Sequence, residues 1–195
     1  EKQFKMKKIF KSLFIASAFL LVGNVATSCS KVEDLVDEIS VPIPFAVPVS
    51  LDVEVPFATA NTTDYVTYPE LPLNLDLDAR IKEKYPSLSI NNLKSVKVES
   101  FNIQYVSSDS GVNLDAVKNA RIYIKAPNLD RQLIGTVSNN TNGAVLNFVP
   151  DANTELLDYL KSSQNSLILE VQGSKVAADL MKLKINASFK LEVGL

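Results

Sequence analysis

A long alternation between positions 41 and 57 sets the strongest limit on how this chain folds. Every odd position carries an apolar side chain of at least valine size, and no even position carries a large hydrophobe. The odd positions hold Val41, Ile43, Phe45, Val47, Val49, Leu51, Val53, Val55 and Phe57. This period of two predicts a β-strand with one buried face. At about 3.3 Å per residue the strand would exceed about 50 Å, so we expect it to bend or to pass from one sheet to another.

The prolines of this segment predict where the strand lies in its sheet. Pro42, Pro44, Pro48 and Pro56 all occupy even positions. Because the N–H groups of alternate residues point to the same side of a strand, one edge loses donors at four places while the other stays intact. We therefore expect an edge strand that pairs through its odd-numbered residues, with the proline side turned outward against edge-to-edge aggregation.

Similar patterns predict further strands along the rest of the chain. They cover residues 71–77, 94–107, 119–126, 133–137, 144–149, 167–171 and 181–193. The apolar phase of the second of these changes near Glu99 and Ser100, which predicts a β-bulge there. The asparagine-rich segment 138–143 is typical of a hairpin connection between 133–137 and 144–149.

Helical signals are few. A helix is predicted after a cap at Asn153 or Thr154, with three leucines along one side. Residues 78–85 are a candidate for a further short helix that ends before Pro86. Many short strands with little helix predict an all-β fold, an antiparallel β-sandwich of about eight strands with one short helix. Polar alternate faces predict that each sheet is wet on one side.

The N-terminal part of the chain has the pattern of an export signal. Lys7, Lys8 and Lys11 precede an apolar run over 13–22, and small residues follow it. The run is about ten residues long, against about twenty for a helix that spans a bilayer. We therefore predict a cleaved signal over 1–28, with the natural start at Met6.

The end of this signal, Ala26-Thr27-Ser28-Cys29, resembles the lipobox of bacterial lipoproteins, although leucine is commonest in that family where Ala26 stands. The resemblance implies cleavage between Ser28 and Cys29, a lipid on the Cys29 thiol and acylation, for example by palmitate, of the new amino terminus. Two such signals give stable anchoring, whereas one acyl chain does not. The alternative is an ordinary signal peptide cut nearby, which would leave Cys29 as a free thiol.

The resemblance also implies a location and a domain organisation. Residues 29–40 are expected to form the lipidated cysteine and a tether, and residues 41–195 the β-sandwich domain. Ser30, in place of an aspartate, favours the bacterial outer membrane. Acidic residues over 31–34 resemble a surface-export tag only loosely and equally fit a solvated linker, so the periplasmic and cell-surface sides both stay open.

Composition limits the chemistry of this chain. It contains no His and no Trp, and Cys29 is its only cysteine. The commonest general base and metal ligand is therefore missing, so we predict no enzyme activity and no cofactor. Residues 29–195 carry 15 basic and 21 acidic side chains, a net charge near −6. This charge argues against nucleic acid as a partner.

Some residues are nevertheless candidates for binding. Asp76 and Asp78 would share one strand face and could hold calcium, as could Asp109 and Asp115 in an oxygen-rich loop. The alternatives are a solvated strand face and an Asx-type turn. Three tyrosines could contact a ligand or a partner, namely Tyr65, Tyr68 and Tyr85, and three lysines could form an anion site, namely Lys182, Lys184 and Lys190. Half-buried tyrosines with wet hydroxyls and the wet face of the last strand are the commoner explanations.

Taken together, these patterns predict a membrane-anchored, non-catalytic envelope lipoprotein. It would act as a structural, adhesive or complex-forming module, with the membrane and an envelope protein as partners. The alternative is a carrier of lipid or another apolar ligand between two sheets, whose signature would be an apolar pocket of about 300 Å³ or more. A third possibility is an enzyme that uses paired carboxylates in a cleft.

Overall fold

A computed structural model describes residues 40–41, 46–59 and 63–194. The predicted signal, Cys29, the tether as far as residue 39, and Pro42 and Pro44 lie outside the described residues. The strands are β1 (Ser40–Val41), β2 (Ala46–Thr59), β3 (Val66–Thr67), β4 (Leu71–Pro72), β5 (Leu93–Ser108), β6 (Val117–Lys125), β7 (Gln132–Val137), β8 (Val145–Pro150), β9 (Ser166–Gly173) and β10 (Ala177–Gly194). The helices are α1 (Leu77–Lys84) and α2 (Leu157–Lys161).

The strands form one curled antiparallel sheet. Its order is β1–β10–β5–β8–β7–β6–β9–β3, with β2 also beside β10 and β4 also beside β9. Strand β8 joins the two halves, because its residues 145–148 pair with β5 and its residues 149–150 pair with β7. We call the half with β10 the β10 limb and the half with β9 the β9 limb. The prediction of an all-β antiparallel fold is confirmed.

Strand β2 follows the predicted alternation. Val47, Val55 and Phe57 are buried, whereas Pro48 and Pro56 are exposed. The strand pairs with β10 over its whole length without a register shift, and within the described residues it has no second neighbouring strand. The predicted edge position is therefore confirmed.

The hydrogen bonds of Ala58 show which side of β2 is free. Both backbone groups of this residue contact the side chain of Tyr68, which belongs to the opposite limb, and not β10. Because backbone direction alternates along a strand, Pro48 and Pro56 share this outward direction with Ala58. The prolines thus lie on the unpaired edge, as their spacing predicts.

The predicted bulge in β5 is also confirmed. Ser188 of β10 pairs with Ser100, but the next residue, Phe189, pairs with Val98, so that Glu99 is the extra residue. The Glu99 side chain turns toward β10 and accepts a hydrogen bond of 2.8 Å from the Ser188 hydroxyl. The bulge changes which residues of β5 face the core, which explains the change of apolar phase in the sequence.

The prediction of a strand over 71–77 is wrong beyond Pro72. The backbone N–H groups of Leu73 and Asn74 both donate to the Asn165 carbonyl, and Asn74 has a positive φ of 46°. The Asn165 side chain, only 1% exposed, then binds both backbone groups of Leu75. The backbone of this segment therefore binds Asn165, which is distant in sequence, and not a neighbouring strand. Leu73, Leu75 and Leu77 are nevertheless buried.

Both predicted helices exist, but the cap that was expected for α2 is absent. Helix α1 is capped by Asp76, whose Oδ1 accepts a hydrogen bond of 2.9 Å from the Ala79 N–H. Helix α2 receives no cap from Asn153 or Thr154. The Glu155 carboxylate instead accepts hydrogen bonds from N–H groups at the start of the helix and from Val96 of β5.

One apolar core connects the strands of both limbs with the two helices. Among its most deeply buried members are Phe189 of β10, Ile122 of β6 and Leu160 of α2. The prediction of a wet outer face is wrong for the middle of β9, where Ile168 and Glu170 are only 7% and 6% exposed. Arg121, Tyr123 and Arg131 surround the Glu170 carboxylate.

Candidate functional site

The curled sheet leaves an open seam between its two ends. On one side of the seam lies β2, which pairs only with β10, and on the other lie β3 and β4, which pair only with β9, as far as the described residues show. We call this gap between β2 and β3–β4 the seam. Within the described residues, no ladder of backbone hydrogen bonds joins β2 to β3 or β4, so the sheet stays open at the seam.

Tyr68 bridges the seam. Its hydroxyl accepts a hydrogen bond from the Ala58 N–H and donates one to the Ala58 carbonyl, both at 3.1 Å. The ring stacks on Phe57 with 6.1 Å between centroids, and the Tyr68 N–H donates to the Leu169 carbonyl at 2.8 Å. Burial raises the pKa of Tyr68, against the lowering effect of its hydrogen bond with Ala58. The phenol therefore stays neutral and keeps both hydrogen bonds at physiological pH.

Behind the seam lies a partly enclosed cavity of about 220 Å³. Both limbs supply its walls, and most lining side chains are aliphatic or aromatic. The lining residues are Val53, Glu54, Val55, Pro56, Phe57, Tyr68, Pro69, Leu71, Ile103, Leu114, Val117, Leu146, Leu169, Val171, Leu183 and Ile185. Protein interiors are packed with few voids larger than a water molecule, so a space of this size is unusual.

The size of the cavity decides what it can hold. It exceeds an engineered apolar cavity of about 150 Å³ that binds benzene. It is smaller than the lower limit of about 300 Å³ that is typical of ligand pockets. A cavity of this size can accept one small apolar group, such as an aromatic ring or the end of an aliphatic chain.

The cavity offers no acid–base pair. Glu54 is its one lining residue with a carboxylate, and that side chain is 51% exposed and lies 3.8 Å from Lys182. The only other ionisable side chain of the lining, Tyr68, is held by Ala58. The cavity can bind an apolar group, because such a group leaves water without losing hydrogen bonds.

The first two calcium candidates do not share a strand face. Asp76 caps α1, and Asp78 lies inside this helix, where it accepts a hydrogen bond of 2.8 Å from the Ile90 N–H and forms an ion pair of 2.5 Å with Lys82. The Lys82 hydrogen bond, then that of Ile90, holds the pKa of Asp78 below its ordinary value. Both aspartates thus have structural roles in α1.

The other two candidates lie at opposite ends of a loop. Asp109 follows β5, and its N–H donates to the Leu180 carbonyl at 3.3 Å. Asp115 lies in a short turn before β6, with Oδ1 at 2.9 Å from Lys175 Nζ, an ion pair without hydrogen-bond geometry. Over residues 40–41, 46–59 and 63–194, the structure brings together no group of three His, Cys, Asp or Glu side chains that could hold a metal.

The loop between these aspartates is instead bound by a carboxylate that the sequence did not single out. Asp179 of β10 accepts hydrogen bonds from the N–H groups of Ser110, at 3.0 Å, and Val112, at 3.1 Å. Burial raises the pKa of Asp179, but these hydrogen bonds and that of Leu180 outweigh it and lower the pKa to about 2. No spacing in the sequence relates position 179 to this loop.

The tyrosine and lysine candidates divide into different environments. Tyr68 lies at the cavity, and Tyr65 lies under Arg121, whose guanidinium carbon is 4.0 Å from the ring centroid. Tyr85 ends α1 and packs against the core. Lys182 and Lys184 lie on the wet outer face of β10, each 3.8 Å from an acidic side chain of β2.

A cluster of polar side chains lies on the outer face of β9. Glu170 lies 2.7 Å from Arg131 and 3.8 Å from Arg121, and it accepts a hydrogen bond of 3.0 Å from the Tyr123 hydroxyl. Arg131 also lies over the Tyr123 ring, 4.4 Å from its centroid. The cluster explains the burial of Glu170, because two guanidinium groups balance its charge.

Comparisons with known proteins do not place this chain in a family. No protein-family model matches the chain, and no curated protein matches it either. Among the described residues there is no helix long and apolar enough to cross a membrane. Cys29, the residue expected to carry the lipid, lies outside the described residues, as does the cleavage position at Ser28.

Proposed function

We propose that this protein is a membrane-anchored, non-catalytic lipoprotein of the bacterial outer membrane that serves as a structural, adhesive or complex-forming module. The observation that carries the proposal is the lipobox-like end of the signal, residues 26–29, behind a lysine-rich start and a short apolar run. Lipid on Cys29 ties the domain to the membrane. Tethering raises the effective concentration of the domain near an envelope protein partner.

The domain itself is a β-sandwich in this proposal, with the β10 limb and the β9 limb as its two layers. One apolar core contains residues of both limbs, and both limbs line the cavity, which supports this arrangement. A non-catalytic role is supported by the positions of the carboxylates. Asp76, Asp179 and Glu155 bind backbone N–H groups, which is the role of a cap and not of a general base.

The anchor is tested by substituting Cys29. The full chain with Cys29→Ala should lose labelling by radioactive palmitate and leave the membrane fraction, since the thioether can no longer form. Ser28→Ala is the matched control, because it keeps a small residue before the cysteine and should leave both labelling and membrane residence unchanged. Continued membrane residence of the Cys29→Ala chain would overturn the proposal.

A second candidate function is the carriage of a lipid or another apolar ligand. The cavity of about 220 Å³ behind the seam is smaller than the pocket of about 300 Å³ expected of such a carrier, but it has room for the end of an acyl chain. The full chain should bind a fluorescent fatty acid such as cis-parinaric acid, with the end of the chain in the cavity. Val117 is 1% exposed and lines the cavity, so Val117→Phe should fill the space and abolish the fluorescence increase.

Val106→Phe is the control for this assay, because Val106 is 55% exposed and is absent from the cavity walls. It should bind the probe as the parent chain does. Equal binding by the Val117→Phe chain, or no binding by the parent chain, would contradict the carrier function without affecting the proposed anchor.

A further inference from the structure

Strands β7 and β8 separate to form a fork in the sheet. They pair only at Gly135 with Pro150 and at Thr136 with Val149. Beyond these pairs β8 leaves its neighbour and forms a ladder with β5. The space between the separated strands is an outward-facing cleft of about 270 Å³, which we call the fork cleft. It shares no lining residue with the apolar cavity.

The separation leaves part of the β8 backbone without a ladder partner. The Ala144 carbonyl accepts from the Tyr105 N–H of β5, whereas the Asp151 N–H donates to the Ile134 carbonyl of β7. Even-numbered residues of β8 therefore direct their backbone groups to β5, and odd-numbered residues direct theirs toward β7. Asn147 is odd-numbered and lies where β7 has moved away, so its N–H and carbonyl face the fork cleft.

The side chains of the fork cleft are neutral. Three asparagines, two hydroxyl residues and three valines line it, and none of the lining residues is charged. They are Thr136, Val137, Ser138, Asn140, Asn142, Val145, Asn147 and Val149. Val149 is 70% exposed and gives the cleft an apolar edge. No hydrogen bond in the described part of the chain involves the exposed Asn147 carboxamide.

The loop that forms one wall is held in place by its own asparagines. Asn140 Nδ2 donates to the carbonyls of Leu114, at 2.8 Å, and Val117, at 3.0 Å. Asn142 Oδ1 accepts from the N–H groups of Ala144, at 2.8 Å, and Val145, at 3.1 Å. A ligand would therefore meet a wall that needs little ordering, which reduces the entropy cost of binding.

We propose that the fork cleft binds a neutral ligand rich in hydroxyl groups, a hexose unit of a glycan. A hydroxyl group both donates and accepts, which matches a carboxamide and a backbone N–H and carbonyl on the same wall. The C–H face of a sugar ring matches the exposed side chain of Val149. An anion is disfavoured because the lining has no cation. Strand addition is disfavoured because it needs several consecutive pairs, whereas the Val145 N–H already donates to Asn142 and Asn147 alone offers both backbone groups.

A glycan would be the ligand of the adhesive module proposed above, and in this respect the inference rests on the proposed function. Binding itself does not depend on the lipid, so the two fail separately. Loss of palmitate labelling would contradict the anchor, whereas loss of sugar binding would contradict only the fork cleft.

The test is a titration of the full chain in detergent, followed by amide NMR. The probes are glucose, galactose, mannose and N-acetylglucosamine, each also as a short oligosaccharide. At least one should shift the amide resonances of Asn147 and Asn142. Binding of the oligosaccharide alone indicates a glycan as the source, and equal binding of the monosaccharide indicates a free sugar.

Asn147→Ala should weaken the affinity by about tenfold, because it removes a side chain with both donor and acceptor groups. The Asn147 side chain is exposed, so this variant should keep its fold. Asn91→Ala, at an exposed position after α1, is the matched control and should bind as the parent chain does. Absence of shifts with all of these sugars, or equal affinity of the Asn147→Ala chain, would overturn the proposal.

Discussion

The Tyr68 hydroxyl and the backbone of Ala58 exchange two hydrogen bonds, each 3.1 Å long, across the seam of the curled sheet. This pair connects the free edge of β2 with the β9 limb at the mouth of the cavity. A strand edge is usually protected by prolines or by charge, and β2 has both. At Ala58 the protection is a side chain from the other end of the sheet.

Tyr68→Phe should open the seam. The variant keeps the ring that stacks on Phe57 but loses both hydrogen bonds, so we expect a loss of about 1–2 kcal/mol in the free energy of unfolding. Hydrogen exchange at the Ala58 amide should accelerate. Tyr159→Phe is the control, since its hydroxyl donates to the Asp130 carbonyl far from the seam. Unchanged exchange at Ala58 in the Tyr68→Phe chain would show that the seam is held by other contacts.

Enlarging a buried side chain should affect the free energy of unfolding differently at the cavity and elsewhere in the core. Val117→Leu adds volume to an existing space, so the free energy of unfolding should stay the same or rise. Val96 is 0% exposed and does not line the cavity, so Val96→Leu should cost about 1–3 kcal/mol through overpacking. Urea denaturation of both variants measures the difference. An equal loss of stability in the two variants would mean that the surrounding side chains fill the cavity in solution.

Asn165→Ala should be strongly destabilising for its size. The Asn165 side chain binds both backbone groups of Leu75 and the Ser162 carbonyl, and it is almost fully buried. Unpaired buried backbone groups cost about 1–3 kcal/mol each, so we expect a loss of about 3 kcal/mol or more in thermal or urea denaturation. Asn153→Ala, at an exposed position, should change stability by less than about 0.5 kcal/mol. Similar values for the two would contradict the role of Asn165.

Acid should release the loop that Asp179 binds. The pKa of Asp179 is about 2 in the folded chain, below its ordinary value of 3.8. The folded state therefore binds fewer protons, so the stabilisation by Asp179 is complete only above about pH 5 and is lost progressively as the pH falls through 3.8 to about 2. Asp179→Asn should flatten this part of the stability curve, whereas Asp52→Asn, at an exposed position, should leave it unchanged. Parallel curves for the parent and Asp179→Asn chains would rule out this linkage.

Periodic patterns predicted the parts of the fold that depend on one strand alone. The alternation of β2, its edge position and the bulge at Glu99 all follow from which neighbouring residues are apolar or proline. The helix over residues 77–84 was also found within one residue. Such features are local because the two-residue period and the missing proline N–H belong to the strand itself.

The cavity could be anticipated only as one of several alternatives. Val55, Phe57 and Leu71 were recognisable as inward-facing, but no pattern showed that the two limbs would leave a space between them. Tyr68 was a candidate among three similar tyrosines, and only its hydrogen bonds with Ala58 distinguish it. The size of a void depends on how all the facing side chains fit together, and a single sequence does not contain that information.

By itself, then, the sequence determined that the chain is all-β and antiparallel and that β2 is an edge strand, because period and proline position act within one element. Only the tertiary structure decided that Asn165 would replace a strand beside Leu75, that Glu155 and Asp179 would bind distant backbone groups, and that β8 would leave β7 for β5. In each case the partner lies far away in the chain, so the outcome depends on how the two limbs pack and not on local pattern.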